Sequence, residues 1–255
     1  KTMQAIIGGT GLYHLTGLVV TRRQVVRTPY GEPSGALTYG RIGDGAEIVF
    51  LARHGYGHTL APHRINYRAN LWALHEVGVR RIVSVATVGG IAGPLVPGAI
   101  VVPDQIIDYT TERPRTFFEG GDQPVAHVDM TQPYGAAMRL DLLGSARTCG
   151  IDVVDGGVYG CTQGPRLETA AEIRRMGRDG CDMVGMTGMP EAALARELDL
   201  DYAALCLVTN DAAGQRASVG EISMQGMRVV VDDSMQNVHR ILGQLVGTPC
   251  GDGTT

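Results

Sequence analysis

The sequence predicts an α/β domain, and three observations carry that expectation. Short apolar runs rich in Val and Ile recur along the 255 residues, and helical patterns fall between several of them. Glycine is used heavily, 36 residues in all, and gathers where the apolar runs stop. An ordinary chain holds about 7% glycine. The excess therefore marks places where a backbone must turn sharply or approach a ligand closely.

The strand candidates, in order, are "QAIIGG", "AEIVFLARHG", "RRIVSVATVGG", "GAIVVPDQIID", "GGVYGCTQGP", "CDMVGMTGMP" and "AALCLVTND". None alternates strictly between apolar and polar residues, the pattern of strands buried on both faces. Between them, "NYRANLWALHEVG" places Tyr67, Leu71 and Leu74 on one helical face and stops at Gly78, a C-terminal cap. "PEAALARELDL" opens with Pro190 as first helical residue and repeats Ala192, Ala195 and Leu198. Met227, Val231, Met235, Val238, Leu242 and Leu245 recur at three or four residues and predict an amphipathic C-terminal helix. The segment 108–134 is long, proline-bearing and irregular, as functional or interface loops are. No linker or repeat divides the chain, so one domain over 1–255 is expected, with 248–255 a flexible tail.

Composition narrows the function. Charge is nearly balanced at −4, which implies no basic face for nucleic acid. No apolar run nears the roughly 18 residues of a membrane span, and "KTMQAIIGGTG" is too short before its glycine turn for a signal peptide. Five cysteines, an odd number without CxxC spacing, suggest neither a disulfide framework nor a zinc site. A reducing, cytoplasmic setting fits, with no metal or cofactor.

Polar residues appear repeatedly where an apolar run ends: Thr10, Arg53 with His54, Thr87, Thr187 and Asn210. In open α/β sheets ligands lie at the carboxyl ends of strands. "IIGGTGLY" is a glycine turn that can cradle a phosphate or simply turn. It is not a dinucleotide fingerprint, because His14 stands where GxGxxG needs glycine and no acid follows between 12 and 31. Arg53 and His54 offer donors to a tetrahedral anion, or else a surface ion pair and a core histidine. In "GPRLETAAE", Glu168 either caps a helix or accepts N–H groups from a ligand. Met186 is core filler or a sugar contact.

Together, "IIGGTGLY", "LARHGYGH", "VATVGGI", "PGAIVVPDQIIDYTTERPRTFF", "GPRLETAAE" and "VGMTGMPEAALARE", running in order over about residues 4 to 215, resemble the trimeric purine nucleoside phosphorylase and methylthioadenosine phosphorylase family. The resemblance implies a nucleoside phosphorylase-like fold, a central mixed β-sheet flanked by helices. It also implies transfer of a ribosyl or 5-thioribosyl group from a purine to inorganic phosphate, in a homotrimer or a dimer of trimers. By resemblance Thr10, Arg53, His54, Thr87 and Thr187 bind phosphate and Met186 packs on the sugar.

The base-reading residues then discriminate. Family members acting on methylthioadenosine carry a Thr-Asp-Tyr-Asp pattern where this chain has Thr209, Asn210, Asp211 and Ala212; those acting on inosine and guanosine carry Thr-Asn and a glutamate matching Glu168. Asn210 as donor to O6 or N7 and Glu168 as acceptor from N1–H suit a 6-oxopurine, with Leu167 in place of the usual aromatic. Asp211 has no assigned role. At the sugar's other end the histidine of inosine-cleaving members is missing from "DAAGQRASVGEISMQG", where Val219 and Ile222 suit an apolar 5′ substituent. His127 matches a histidine near the 5′ group in methylthioadenosine-cleaving members, on a loop expected to close a neighbouring subunit's site. S-methyl-5′-thioinosine satisfies both patterns. Inosine or guanosine is the nearest rival, followed by methylthioadenosine and by nucleoside binding without turnover.

Overall fold

The computed structural model describes residues 2–12, 14–121 and 124–247, so the expected tail lies outside the described residues. The elements run β1 (Met3–Gly8), β2 (Leu18–Gln24), β3 (Leu37–Ile42), β4 (Ile48–Ala52), α1 (Tyr67–Glu76), β5 (Val79–Gly90), β6 (Ile100–Val102), β7 (Gln105–Asp108), α2 (Ala136–Thr148), β8 (Val154–Asp155), β9 (Val158–Cys161), α3 (Ala170–Arg178), β10 (Met183–Gly185), α4 (Glu191–Glu197), β11 (Asp201–Asp211) and α5 (Met224–Val246). All the described strands belong to one mixed sheet. The α/β fold with helices on a central mixed sheet is therefore as expected.

The middle of the sheet is parallel: β4, β1, β5 and β11 lie side by side with their carboxyl ends at one edge. Alternate residues of these strands supply two separate cores. Ala5, Ile7, Val49, Leu51 and Ile82 face α1 and α4, where Leu71, Leu74 and Leu194 complete one cluster. Ile6, Ile48, Phe50, Val83 and Val85 face α2 and α5, where Met138, Leu142, Val238, Ile241 and Leu242 complete the other. Each fully buried Leu or Ile contributes roughly 1.5–3 kcal/mol, so burial on both faces explains why these runs show no alternation.

β5 also forks the sheet. Most of it pairs in parallel with β11, whereas its last two residues, Gly89 and Gly90, pair antiparallel with Val184 and Met183 of β10. β10 therefore runs back along the end of β5 and returns Met186 and Thr187 toward Thr87.

The structure departs from the sequence expectation at several elements. β2, β3, β8 and α2 are additional to the expected strands and helices. The run "GAIVVPDQIID" is two strands, because Pro103, with no N–H to give a ladder, divides β6 from β7. Pro190 is the N-cap of α4 rather than its first residue. Gly78 does follow α1 in a left-handed conformation, φ +91°. Cys161, Cys181 and Cys206 are free, buried thiols. Among the described residues no helix is long and apolar enough to cross a membrane.

Candidate active site

The strand edges and the β10 return enclose a cavity of about 460 Å³, within the range of small-ligand sites. It is lined by Thr10, Arg53, His54, Thr87, Leu167, Glu168, Met186, Thr187, Asn210 and Ile222, ten of the twelve residues singled out from the sequence. The glycine turn after β1 enters it at close range. A side chain at Gly9 would place its Cβ 2.5 Å from the Val85 carbonyl oxygen and 2.9 Å from Arg53 Nη1, so only glycine passes there.

At one pole stand Thr10, Arg53, His54, Thr87 and Thr187. Among the described residues no protein group bonds the hydroxyls of Thr10 and Thr87, which are left to the cavity. The Thr187 backbone N–H donates to Tyr159 Oη at 3.4 Å. Arg53 differs from the sequence expectation of an open fork. It is fully buried, and Nε and Nη2 donate to the two carboxylate oxygens of buried Glu191 at 2.8 and 3.0 Å. Nη2 also donates to Ser84 Oγ at 2.5 Å and Nη1 to the Val85 carbonyl at 3.1 Å.

His54 is likewise not a second donor. Nδ1 lies 2.8 Å from the Leu60 carbonyl oxygen, which can only accept, so Nδ1 carries the proton and Nε2 offers a lone pair. Burial, with the Arg53 cation beside it, pushes the imidazole down to about 4, so the neutral ring persists at neutral pH. The linkage has a definite sign. Between the ordinary histidine value of about 6.5 and about 4, the unfolded chain takes up a proton that the folded site refuses. Stability is unaffected above that window and falls as pH drops through it, by up to about 3 kcal/mol. Urea unfolding at pH 7.5 and 4.5 should therefore show a smaller acid loss in His54→Gln than in the unaltered protein. Equal losses would refute the buried neutral ring.

At the other pole stand Glu168 and Asn210. The first turn of α3 is closed by a capping box in which Thr169 and Glu172 serve each other's backbone N–H. Glu168 is thereby released from capping. Thr162 Oγ1 donates to its Oε1 at 2.6 Å, which fixes the carboxylate at the cavity wall and leaves Oε2 with no hydrogen bond among the described residues. Asn210 owes its place to an irregularity. β11 is in register with β5 through Val208 opposite Val88, then slips so that Asn210 meets Gly89 and Thr209 is extra. Such a bulge re-aims the next side chain. Asn210 Nδ2 donates to the Asp211 carbonyl at 2.8 Å, an acceptor that fixes the amide's orientation, while Oδ1 accepts from Thr209 Oγ1 at 3.1 Å. One Nδ2–H is left to give. The sequence pattern of the phosphorylase superfamily matches residues 4–246.

The chain belongs to the phosphorylase superfamily. It is 49% identical to a probable S-methyl-5′-thioinosine phosphorylase of Pseudomonas syringae pv. tomato, covering 96% of this chain and 98% of that protein. It is 51% identical to the 6-oxopurine nucleoside phosphorylase of Pyrococcus furiosus, over 82% of this chain and 80% of that one. Among solved structures, the methylthioadenosine phosphorylase of Schistosoma mansoni bound to adenine superposes with a TM-score of 0.91 at 32% identity, covering 96% and 91% of the two chains.

Within this phosphorylase fold two expected sugar contacts lie elsewhere. Val219 is 74% exposed and does not line the cavity. The reason is the loop after β11. Buried Asp211 accepts from Arg216 Nε at 2.7 Å and from the Ala217 N–H at 3.2 Å, and Arg216 also donates to the Leu95 carbonyl. That latch turns Val219 outward and brings Ile222, Met224 and Met227 to the cavity instead. It also supplies the role that Asp211 lacked. His127 is exposed on the irregular segment, away from this chain's cavity. Sequence reasoning missed Glu191, Thr162, Met224 and Met227. Glu191 left one sign, an acid just ahead of the apolar run 192–195, which once buried needs a cation.

Proposed function

We propose that the chain catalyses phosphorolysis of S-methyl-5′-thioinosine to hypoxanthine and 5-methylthioribose 1-phosphate, in purine and methylthioadenosine salvage. The observation that carries the reading is the pairing of an acceptor at Glu168 and a donor at Asn210 with an apolar wall of Ile222, Met224 and Met227. The names of the relatives point the same way, to 6-oxopurine and methylthioinosine phosphorolysis.

In this reading phosphate is the co-substrate, with no cofactor. It is held by the hydroxyls of Thr10, Thr87 and Thr187 and by Arg53, with the lone pair of His54 Nε2 accepting a hydrogen bond from the P–OH of hydrogen phosphate. Thr87 and Gly89 are two residues apart on β5, so the phosphate and base poles are separated by about 7 Å along the strand, room for a pentose. A phosphate oxygen attacks C1′ while the C1′–N9 bond breaks and its electron pair leaves with the purine; the proton of hydrogen phosphate then passes through solvent to the released base, which gives neutral hypoxanthine. Charge gathers on the base as the bond opens. Glu168 accepting N1–H and Asn210 donating to O6 or N7 act most strongly at that point, which lowers the barrier rather than only tightening binding. Met186 and Leu167 pack against sugar and base. In a homotrimer, or a dimer of trimers, His127 would reach a neighbouring subunit's 5′ group.

The test compares phosphate-dependent kcat/KM for S-methyl-5′-thioinosine, inosine and methylthioadenosine. A lead for methylthioinosine is expected. Equal use of inosine would leave the base reading and remove the apolar 5′ pocket; that is the outcome favouring a general 6-oxopurine nucleoside phosphorylase, as in the Pyrococcus relative. Asn210→Asp should shift preference toward 6-aminopurine nucleosides by at least about tenfold. Unchanged selectivity in that variant would sink the assignment of Asn210.

A further inference from the structure

We infer that Glu191 is a positioning residue for the anion: it holds the Arg53 guanidinium so that a single N–H, and no fork, is left for phosphate. The inference rests on reading that pole of the cavity as a phosphate subsite. A guanidinium has five N–H groups, and a bidentate clamp on an oxyanion needs two that share an edge. The Nε/Nη2 edge of Arg53 is taken by the two oxygens of Glu191. The remaining N–H of Nη2 goes to Ser84 Oγ, and one N–H of Nη1 goes to the Val85 carbonyl. What is left is the other N–H of Nη1, on the nitrogen that lies against Gly9.

Glu191 is held as firmly as it holds. Besides the two arginine donors it accepts from Ser84 Oγ at 2.5 Å and Tyr202 Oη at 2.8 Å, so four donors converge on one carboxylate. Arg53, Glu191, Tyr202 and Ser84 are all buried, at 0%, 0%, 2% and 3% exposure. Three different elements, β5, α4 and β11, therefore fix the guanidinium from behind. Burial weighs against the Arg53 cation, and the carboxylate's charge and hydrogen bonds more than reverse that. The pair is close to neutral overall, so phosphate meets one directed donor rather than a free cation. Rotation of Arg53 toward a bidentate clamp would strand Glu191 among Ser84 and Tyr202.

The test uses full-length protein and inorganic phosphate. Glu191→Gln removes an acceptor from the guanidinium. Tyr202→Phe removes one donor to Glu191 without touching Arg53 or the cavity. Phosphate affinity by calorimetry, without nucleoside, is expected to weaken about tenfold in Glu191→Gln and about twofold to threefold in Tyr202→Phe. KM for the nucleoside should move less than about twofold in either. Unchanged phosphate affinity in a folded Tyr202→Phe, or parallel losses for phosphate and nucleoside, would overturn the positioning role. Absence of phosphate binding in the unaltered protein would instead overturn the subsite itself, and the inference with it. Should Glu191→Gln not fold, Tyr202→Phe decides the matter alone.

Discussion

Glu168→Ala should lower kcat/KM for S-methyl-5′-thioinosine by about 10²–10³, the loss of one preorganised hydrogen bond where charge develops, about 2.7–4 kcal/mol. The fold should not notice. The α3 N-terminus keeps its Thr169–Glu172 capping box, and Thr162 Oγ1, relieved of the carboxylate, still has the Gly185 carbonyl at 3.3 Å. Thermal unfolding should therefore shift by no more than about 2 °C. Methylthioadenosine makes a sharp control, because its unprotonated N1 has nothing to give Glu168. Its residual rate should fall far less. A kcat/KM for methylthioinosine within threefold of the unaltered enzyme would remove Glu168 from base recognition.

Arg113→Met should destabilise the protein by about 3 kcal/mol or more, the largest stability loss we expect away from the cavity. Arg113 comes from the irregular segment after β7, yet it is buried. It donates to Gln163 Oε1 at 3.1 Å, to Tyr67 Oη at 3.2 Å, and to the carbonyls of Met189, Thr162 and Gln163 at 2.6, 3.2 and 2.8 Å. Its partners are mostly backbone acceptors, so methionine takes the donor from the Thr162 and Gln163 carbonyls and leaves the Met189 carbonyl only the Cys161 thiol. The same residue ties the ends of β9 and the β10–α4 turn together, next to Glu168 and Thr187. Arg22→Met is the contrast: its ion pair with Glu47 is half exposed and should contribute less than about 1 kcal/mol. Urea unfolding of both variants checks the difference. Similar losses in the two would show that the buried segment is held by something else.

Burial decides how much of the fold is legible in the sequence. β1, β4, β5 and β11 lie under helices on both faces, and so read as unbroken apolar runs. β2 is silent because six of its seven residues face solvent, leaving "LVVTRRQ" with no buried face to advertise. α2 escapes notice because its buried residues are Met138, Leu142, Leu143, Ser145 and Ala146, a narrow and partly polar stripe. In the site, residues carried by strand ends are legible, since topology fixes where a strand end points. Val219 is not, because the path of its loop depends on a latch between Asp211 and Arg216 that spacing does not reveal. Glu191 is hidden for a similar reason: its partner is 138 residues away, and only the fold brings them together.

The slip at Thr209 bears on how such a cavity can change its preference. Asp201 to Val208 are locked to β5 residue by residue, and most of them serve as core. The extra residue uncouples the end of β11 from that lattice. A side chain at 210 answers to the ligand and to its two immediate neighbours rather than to the packing below. Exchange of an amide for a carboxylate there is a single-position event, with little mechanical echo in the sheet. The protein thus keeps its tuning screw outside its load path, and selectivity for the purine can drift without the scaffold having to move.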